Sequence, residues 1–117
     1  MEKTQILPRN LQKKAEIHIF LDNKHVSTYP INLTLHEVGR EGDIRTPKED
    51  IYVGRKQLQI KVDLYSKTFF LYLLPYKNPV YINGKKFGEE VKSPYILRDG
   101  DKIKMGGRTT LVFKLIE

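Results

Sequence analysis

The sequence contains no cysteine. That absence excludes a disulfide framework and any thiolate metal site, and it fits a reducing compartment. No apolar run approaches the length of a membrane span, and the first residues lack the apolar stretch of a signal peptide. We therefore expect a soluble, intracellular protein in the cytoplasm.

Patterns that support catalysis are also missing. The three histidines (His18, His25 and His36) lack the spacing of metal ligands, and no helix is present to align them. No glycine-rich phosphate loop leads into a helix. We therefore expect neither an enzyme nor a bound metal or cofactor, and we interpret each histidine as a surface or hydrogen-bonded core residue.

Charge is abundant and mostly positive. The 117 residues carry 21 Lys+Arg against 14 Asp+Glu, a formal net charge of +7. A basic domain attracts phosphates, whether they belong to a nucleic acid, a membrane or a modified protein. No run exceeds two consecutive basic residues, which favours lysines that solvate a β surface and protect its edges.

Period-two alternation of apolar and polar residues dominates the chain. It occurs in Ala15–Leu21, in Lys56–Leu64 and again in residues 111–115, and it is typical of strands with one face in the core. Phe69–Leu74 is apolar on both faces, as expected of a central strand covered on both sides.

Turn-type segments separate these runs, and no sustained helical period appears. The turn segments are Asp22-Asn23-Lys24, Asn83-Gly84 and Asp99-Gly100. Many short strands with frequent turns predict a sandwich or a barrel. Residues 1–14 show no strand periodicity, and we expect a flexible N-terminal tail there, followed by one β domain over residues 15–117.

The C-terminal half resembles the end of a forkhead-associated (FHA) domain. Val80–Phe87 contains Ile82-Asn83-Gly84, similar to the V-N-G turn of that family, and Tyr95–Gly106 contains the pattern L-x-D-G-D-x-I-x-x-G without a gap. A last apolar strand, Leu111–Phe113, follows. The resemblance implies an all-β fold, an antiparallel sandwich of two sheets (FHA/SMAD-like) with about 10–11 short strands.

Three earlier segments extend the resemblance to about residues 15–117. Val38-Gly39-Arg40 with Asp43-Ile44 is similar to the family's G-R…D-I segment, Gly54–Ile60 to S-R-x-H-x-x-I, and Lys77–Gly84 to N-G-T-x-V-N-G.

FHA domains bind phosphothreonine peptides through loops at one end of the sandwich. By resemblance, Arg40 is the phosphate-binding arginine and Asn78 holds the peptide main chain. Arg55 lies in the loop that carries the family's phosphate-binding serine. The candidate phosphopeptide-binding residues are Arg40, Gly54, Arg55, Lys56, Lys77 and Asn78.

The chain departs from the family at several of these positions. Gly54 replaces the serine, Gln57 the histidine that braces the loops, Tyr76 an upstream serine, and Pro79-Val80 a Gly-Thr pair. Losing one neutral hydrogen bond costs on the order of 1 kcal/mol, less than losing an arginine contact. Arg40, with help from Lys56 or the Gly54 amide, is therefore expected to retain weak phosphate affinity.

Three alternatives stay open for the function. The first is an FHA-like scaffold that binds an unphosphorylated protein, as the departures favour. The second is a basic β domain that binds nucleic acid, with Tyr72, Tyr76 and Tyr81 as a stacking surface instead of packing residues. The third is self-association, in which phosphorylated Thr4 binds the loop site of its own or another copy.

Structural roles also remain possible for the candidate residues themselves. Arg40 can pair with Glu41 or Asp43 on its own loop. Arg55 can cover a strand edge, and Asn78 can serve only as a turn residue before Pro79.

Overall fold

Eleven strands form two sheets in the computed structural model, which describes residues 3–116. The strands are β1 (Ala15–Leu21), β2 (Lys24–Pro30), β3 (Leu35–Gly39), β4 (Ile44–Arg45), β5 (Leu58–Asp63), β6 (Thr68–Leu73), β7 (Val80–Ile82), β8 (Lys85–Lys86), β9 (Tyr95–Ile96), β10 (Lys102–Met105) and β11 (Thr109–Leu115). The six-stranded sheet has the order β2-β1-β11-β10-β7-β8, and the five-stranded sheet β4-β3-β5-β6-β9. The predicted all-β sandwich is confirmed, with one parallel pair, β3–β4, among antiparallel neighbours.

The core lies between the sheets, where the predicted alternation places it. Ala15, Ile17 and Ile19 of β1 are fully buried, as are Leu58 and Ile60 of β5. Burying an aliphatic side chain of this size stabilises the fold by about 1.5–3 kcal/mol. The two inner faces therefore supply the main stabilising term of the domain.

Strand β6 differs from the expectation that both its faces would be covered. Phe69 and Leu71 are buried in the core, whereas Phe70 and Tyr72 are only half-buried on the outer face. Only the two-residue strand β9 lies beyond β6 in the sheet. Neighbouring side chains, such as Lys61 over the Tyr72 ring, therefore cover the apolar outer face in part. This partial cover takes the place of the further layer of structure that the sequence led us to expect.

The prediction of a flexible tail over residues 1–14 is wrong for the part of it that packs on the domain. Leu7 and Leu11 are 1% and 6% exposed and belong to the core. The Leu7 amide donates to Asn32 O (2.9 Å), and the Pro8 carbonyl accepts the amide of Leu11 (2.9 Å). A single turn buries these two leucines, and such a turn leaves no period-two signal. The first two residues lie outside the described part of the chain.

The predicted turns have the backbone conformations that their residues suggest. Asp22 (φ 50°) and Asn23 (φ 66°) connect β1 to β2, and Asn83 (φ 50°) with Gly84 (φ 83°) connects β7 to β8. Two consecutive residues with positive φ match the twist of the strands that they join. Gly100 (φ 86°) likewise turns the chain into β10.

The connections gather at two ends of the sandwich. The "loop end" comprises residues 40–43, 46–57, 74–79 and 106–108, because β3 and β6 end there and β5, β7 and β11 begin there. The "turn end" comprises the Asn83-Gly84 turn and residues 97–101. Residues 3–116 contain no helix that could span a membrane.

Candidate functional site

Arg40 is placed by the close approach of its neighbour to the β4–β5 loop. A Cβ at Gly39 would lie 2.2 Å from Arg55 O and 2.6 Å from Gly54 O. Only glycine permits that approach. The Arg40 amide then donates to Gly54 O (3.0 Å) and the Glu41 amide to Arg55 O (2.9 Å). The G-R pair is thus fastened to the loop that carries the residue in the family's serine position.

The Arg40 side chain is half-buried and held by one hydrogen bond, from Nε to Val53 O (2.7 Å). No carboxylate within residues 3–116 forms an ion pair with it. Glu41 pairs instead with Arg55 (3.3 Å), and both of those side chains are largely exposed. The alternative that Arg40 pairs on its own loop is therefore wrong. Its terminal amino groups are free to bind an anion as far as residues 3–116 are concerned.

Asp43, the other carboxylate of this loop, is held by a buried histidine. His36 is 3% exposed, and its Nε2 accepts the amides of Asn32 (3.2 Å) and Leu33 (3.1 Å). The proton of the neutral ring must then sit on Nδ1, which donates to Asp43 Oδ2 (2.5 Å). This bond fixes the β3–β4 loop, so His36 is a hydrogen-bonded core residue that positions the loop of Arg40.

Gln57 joins the two other loops of the site. It is fully buried; its Oε1 accepts the Gly54 amide (2.9 Å), and its Nε2 donates to Asn78 O (3.0 Å). The carboxamide thus bridges the β4–β5 and β6–β7 loops at the position of the family's bracing histidine. Gly54 is itself buried and its amide is already bonded. The expectation that this amide would aid phosphate binding is wrong.

Asn78 is half-buried and has a defined partner. Its Nδ2 donates to Tyr52 O (2.8 Å), which ties the β6–β7 loop to the β4–β5 loop a second time. Its Oδ1 has no partner among residues 3–116. An oriented carboxamide with a free acceptor suits an extended peptide main chain. Asn78 is therefore more than a turn residue before a proline.

Two of the departures from the family pattern form a packed pair. A Cβ at Gly54 would lie 3.0–3.2 Å from atoms of the Tyr76 ring. The ring covers the glycine, and 39% of the residue remains exposed to solvent. A serine at position 54 would require the tyrosine to shift. The glycine and the tyrosine therefore depend on each other.

Asp50 holds the β4–β5 loop of the site in place, a role that the sequence did not indicate. The carboxylate is 1% exposed and accepts the amides of Arg108 (2.8 Å) and Gly107 (3.2 Å) and the hydroxyl of Thr109 (2.7 Å). Burial alone would raise the pKa of Asp50, but these hydrogen bonds and one from the Tyr52 amide outweigh it, so the pKa lies below its ordinary value. The hydrogen bonds from Gly107, Arg108 and Thr109 connect the β4–β5 loop to the β10–β11 turn.

The remaining candidate residues are exposed cations around this framework. Lys56 Nζ lies 3.2 Å from Glu37 Oε1, and Lys77 is exposed beside Asn78. An exposed pair such as Lys56–Glu37 contributes little to stability, roughly 0–1 kcal/mol. All six candidate residues thus belong to three loops that meet at the loop end. No group of three or more potential metal ligands occurs within residues 3–116.

Thr4 lies elsewhere. It is exposed next to Gln5, whose amide donates to Thr34 Oγ1 (2.9 Å) at the start of β3. Arg40 follows the other end of the same strand. The arrangement therefore separates Thr4 from the candidate site of its own copy by the length of β3.

Comparison with known families and structures agrees with this geometry. The family model of the FHA domain matches residues 36–106. This chain belongs to the FHA domain family. The family consists of protein-interaction modules that bind phosphothreonine peptides. The match includes Arg40, Gly54, Gln57 and Asn78, and it ends at the glycine after β10.

One protein kinase is similar in sequence to most of this chain. The chain is 28% identical over 105 residues to the DNA damage response protein kinase DUN1 of Saccharomyces cerevisiae, covering 90% of this chain but only 19% of that protein. The similarity therefore concerns about a fifth of the kinase's length.

Two solved structures have the same fold at low identity. The yeast Pml1 splicing factor matches with a TM-score of 0.76 and 18% identity, covering 89% of this chain and 80% of that one. The N-terminal FHA domain of S. cerevisiae Rad53p, solved in complex with a phosphothreonine peptide, matches with a TM-score of 0.68 and 16% identity over 86% of this chain and 93% of that one. These likenesses show the fold.

Proposed function

We propose that this FHA domain binds a phosphothreonine-containing segment of a partner protein at the loop end, with Arg40 as the principal phosphate ligand. The observation that carries the proposal is the hydrogen bonding and the uncompensated charge of Arg40. Its Nε is anchored to Val53 O, and no described carboxylate neutralises its guanidinium. An arginine that is fixed by one hydrogen bond and has no described ion-pair partner, at the end of a rigid sandwich, is suited to a charge-assisted hydrogen bond with a dianion.

The other candidate residues have distinct roles in this proposal. Asn78 offers its free Oδ1 to a main-chain amide of an extended peptide. Lys77 and Lys56 add positive potential around the site and raise the association rate of an anionic peptide. Gly54 and Gln57 do not contact the ligand; they hold the loops in register.

One observation favours the alternative function, binding of an unphosphorylated protein at the same loops. Tyr76 covers Gly54, where the family has a phosphate-binding hydroxyl. An aromatic ring with 39% exposure beside the site is a typical anchor for apolar contacts between proteins. The phosphate contribution is then smaller than in a site with the serine.

The test compares matched peptides with and without phosphate. A phosphothreonine peptide library is screened against the domain, and the best sequence is titrated as its phosphothreonine, threonine and phosphoserine forms. We expect the phosphate to improve affinity at least about tenfold, a difference of 1.4 kcal/mol. Arg40→Ala should remove that preference, whereas Arg98→Ala, an exposed arginine at the turn end, should leave it unchanged. Equal binding of the first two peptide forms by the unaltered domain would contradict the proposal.

Two further expectations accompany the proposal. Self-association through phosphorylated Thr4 requires a second copy, since Thr4 lies at the other end of β3 from Arg40. An intracellular location follows from a ligand made by protein kinases, and the lack of cysteine fits it.

A further inference from the structure

The outer face of the six-stranded sheet carries a groove that the phosphopeptide site does not use. One row of side chains crosses the sheet there, because Phe20 pairs with Thr110, Thr110 with Lys104, and Lys104 with Tyr81. The next row pairs Val112 with Lys102. The cavity over these rows measures about 550 Å³. We call it the sheet-face groove.

The floor of the groove is apolar and its cations are unpaired. Phe20 and Val112 are half-buried, and Tyr81 is 37% exposed. Neither Lys102 nor Lys104 forms an ion pair with a residue in the range 3–116. No carboxylate belonging to the described range 3–116 lines the groove. The result is an apolar surface with two free positive charges.

The two asparagines on the rim do not change this character. Asn83 donates through Nδ2 to Asp101 Oδ1 (2.9 Å) and accepts the Lys102 amide at Oδ1 (3.0 Å). Its side chain thus links the β7–β8 turn to residues 101 and 102. Asn23 lies in the turn between β1 and β2. A ligand in the groove would therefore meet mainly aromatic and aliphatic surface and the two lysines.

The groove also adjoins the candidate phosphopeptide site. The β6–β7 loop that presents Asn78 runs directly into β7, so Tyr81 follows Asn78 by three residues. Three extended residues span roughly 10 Å. A partner segment on the sheet face would thus lie within reach of a second segment bound at the loop end.

We infer that the sheet-face groove is a second docking site, for an acidic protein segment that inserts an aromatic or large aliphatic side chain. Charge complementarity selects the acidic flanks, because no carboxylate among residues 3–116 neutralises Lys102 or Lys104. The apolar surface of Phe20, Val112 and Tyr81 selects the anchor. A protein segment is favoured over a single-stranded nucleic acid, because Lys102 and Lys104 lie together on β10 within a partly aliphatic depression instead of tracking a backbone between stacked rings.

The test uses a display library of random twelve-residue peptides, selected on the intact domain and counter-selected on a Tyr81→Ala/Lys104→Glu double variant. Library peptides carry no phosphate, so they cannot use the proposed phosphate contact of Arg40, and the counter-selection removes peptides that bind at the loop end. We expect the enriched peptides to combine Asp or Glu with an aromatic or large aliphatic residue. In titrations of a synthesised winner, Tyr81→Ala and Lys104→Gln should each weaken binding about tenfold or more.

The controls separate this inference from the proposed function. Lys114→Gln lies on the same sheet face outside the groove and should leave affinity unchanged, as should Arg40→Ala at the loop end. Failure to enrich peptides that depend on Tyr81 and Lys104 would overturn the inference. So would enrichment of peptides without acidic residues, or displacement of the winner by an equimolar dodecamer of deoxythymidine. A change of affinity on Arg40→Ala would place the peptide at the loop end instead, which also overturns it.

Discussion

The two ends of the sandwich use polar side chains differently. At the turn end, Asp101 is 6% exposed and accepts hydrogen bonds from Asn83 Nδ2 (2.9 Å), Tyr95 Oη (2.8 Å) and the Arg98 amide (2.7 Å). Both carboxylate oxygens therefore have donors within the domain. At the loop end, Arg40 and Asn78 are anchored through one atom each while their outer polar atoms have no partner among residues 3–116.

The difference distinguishes a turn end that serves the stability of the fold alone from a loop end that also presents groups for recognition. The D-G-D segment, which most closely follows the family pattern, belongs to the turn end and closes an internal network. The site faces solvent from loops whose residues depart from that pattern. A strong match at the turn end therefore identifies the fold and says little about the ligand.

The largest expected effect is on stability at the turn end. Asp101→Ala leaves Asn83, Tyr95 and the Arg98 amide without their acceptor and should lower the free energy of unfolding by about 3 kcal/mol, measured by urea denaturation. Peptide affinity of the folded variant should stay within about twofold, because the two ends are distant. Asp99→Ala removes one exposed bond to the Leu115 amide and is the matched control, with about 1 kcal/mol. A large loss of peptide affinity in folded Asp101→Ala would contradict the separation.

Asp50→Asn should lower the free energy of unfolding by about 2 kcal/mol at pH 7, since the carboxylate accepts four hydrogen bonds at a buried position. Its pKa in the folded domain lies below the ordinary value of 3.8. The stabilisation is therefore fully present above pH 3.8 and is lost as the pH falls through the lower folded pKa. The gap between the two proteins should narrow in urea denaturation below that pH.

If the difference in unfolding free energy between the unaltered domain and Asp50→Asn were the same at every pH, the ionised form of Asp50 would contribute nothing to stability. Asp63→Asn is the control, because that pKa is also lowered, first by the Ser66 hydroxyl, but in an exposed turn. It should cost less stability and should leave peptide binding unchanged.

Gln57→Met should affect stability and recognition together. It removes the bridge between the Gly54 amide and the Asn78 carbonyl at a fully buried position, which should cost about 1.5 kcal/mol of unfolding free energy. The two loops then lose their register, and phosphopeptide affinity should fall in the same variant. Gln59→Met, half-buried on the outer face of β5, is the control. Unchanged affinity in Gln57→Met would show that the loops do not need this brace.

The smallest effect is a gain of affinity at the loop end. In a Tyr76→Ala background, Gly54→Ser restores the family's hydroxyl without the ring that a Cβ would meet at 3.0–3.2 Å. One added hydrogen bond to the phosphate should strengthen binding about fivefold, or about 1 kcal/mol. Gly54→Ser alone should gain less, because Tyr76 must shift. Equal titration curves for Tyr76→Ala with and without the serine would show that the phosphate does not approach position 54.

Local patterns in the sequence determine most of the fold. The period-two runs of β1 and β5 and the positive-φ turns at Asn23 and Gly84 were predicted because each depends on a few adjacent residues. The burial of Leu7 was missed because one isolated turn has no repeating pattern.

The candidate site was predicted only through family resemblance, which located Arg40 and Asn78. The resemblance also indicated Gln57, at the position of the bracing histidine, whereas the contacts of Asp50 and Tyr76 were not predictable from either source. Asp50 bonds the hydroxyl of Thr109, which lies 59 residues away, and Tyr76 packs on a glycine 22 positions earlier in the chain. Contacts of this kind join irregular loops, where no periodicity reports which residues meet.

The most direct test of the account is a titration of the ¹⁵N-labelled domain with a phosphothreonine peptide, followed by amide and arginine side-chain NMR signals. The account predicts large shifts of the Arg40 Nε–H signal, which the bond to Val53 O holds in place, and of loop amides near Gly54 and Asn78. Amides of residues 97–101 should not move. Shifts concentrated at the turn end, or a stationary Arg40 signal in a saturated complex, would contradict it.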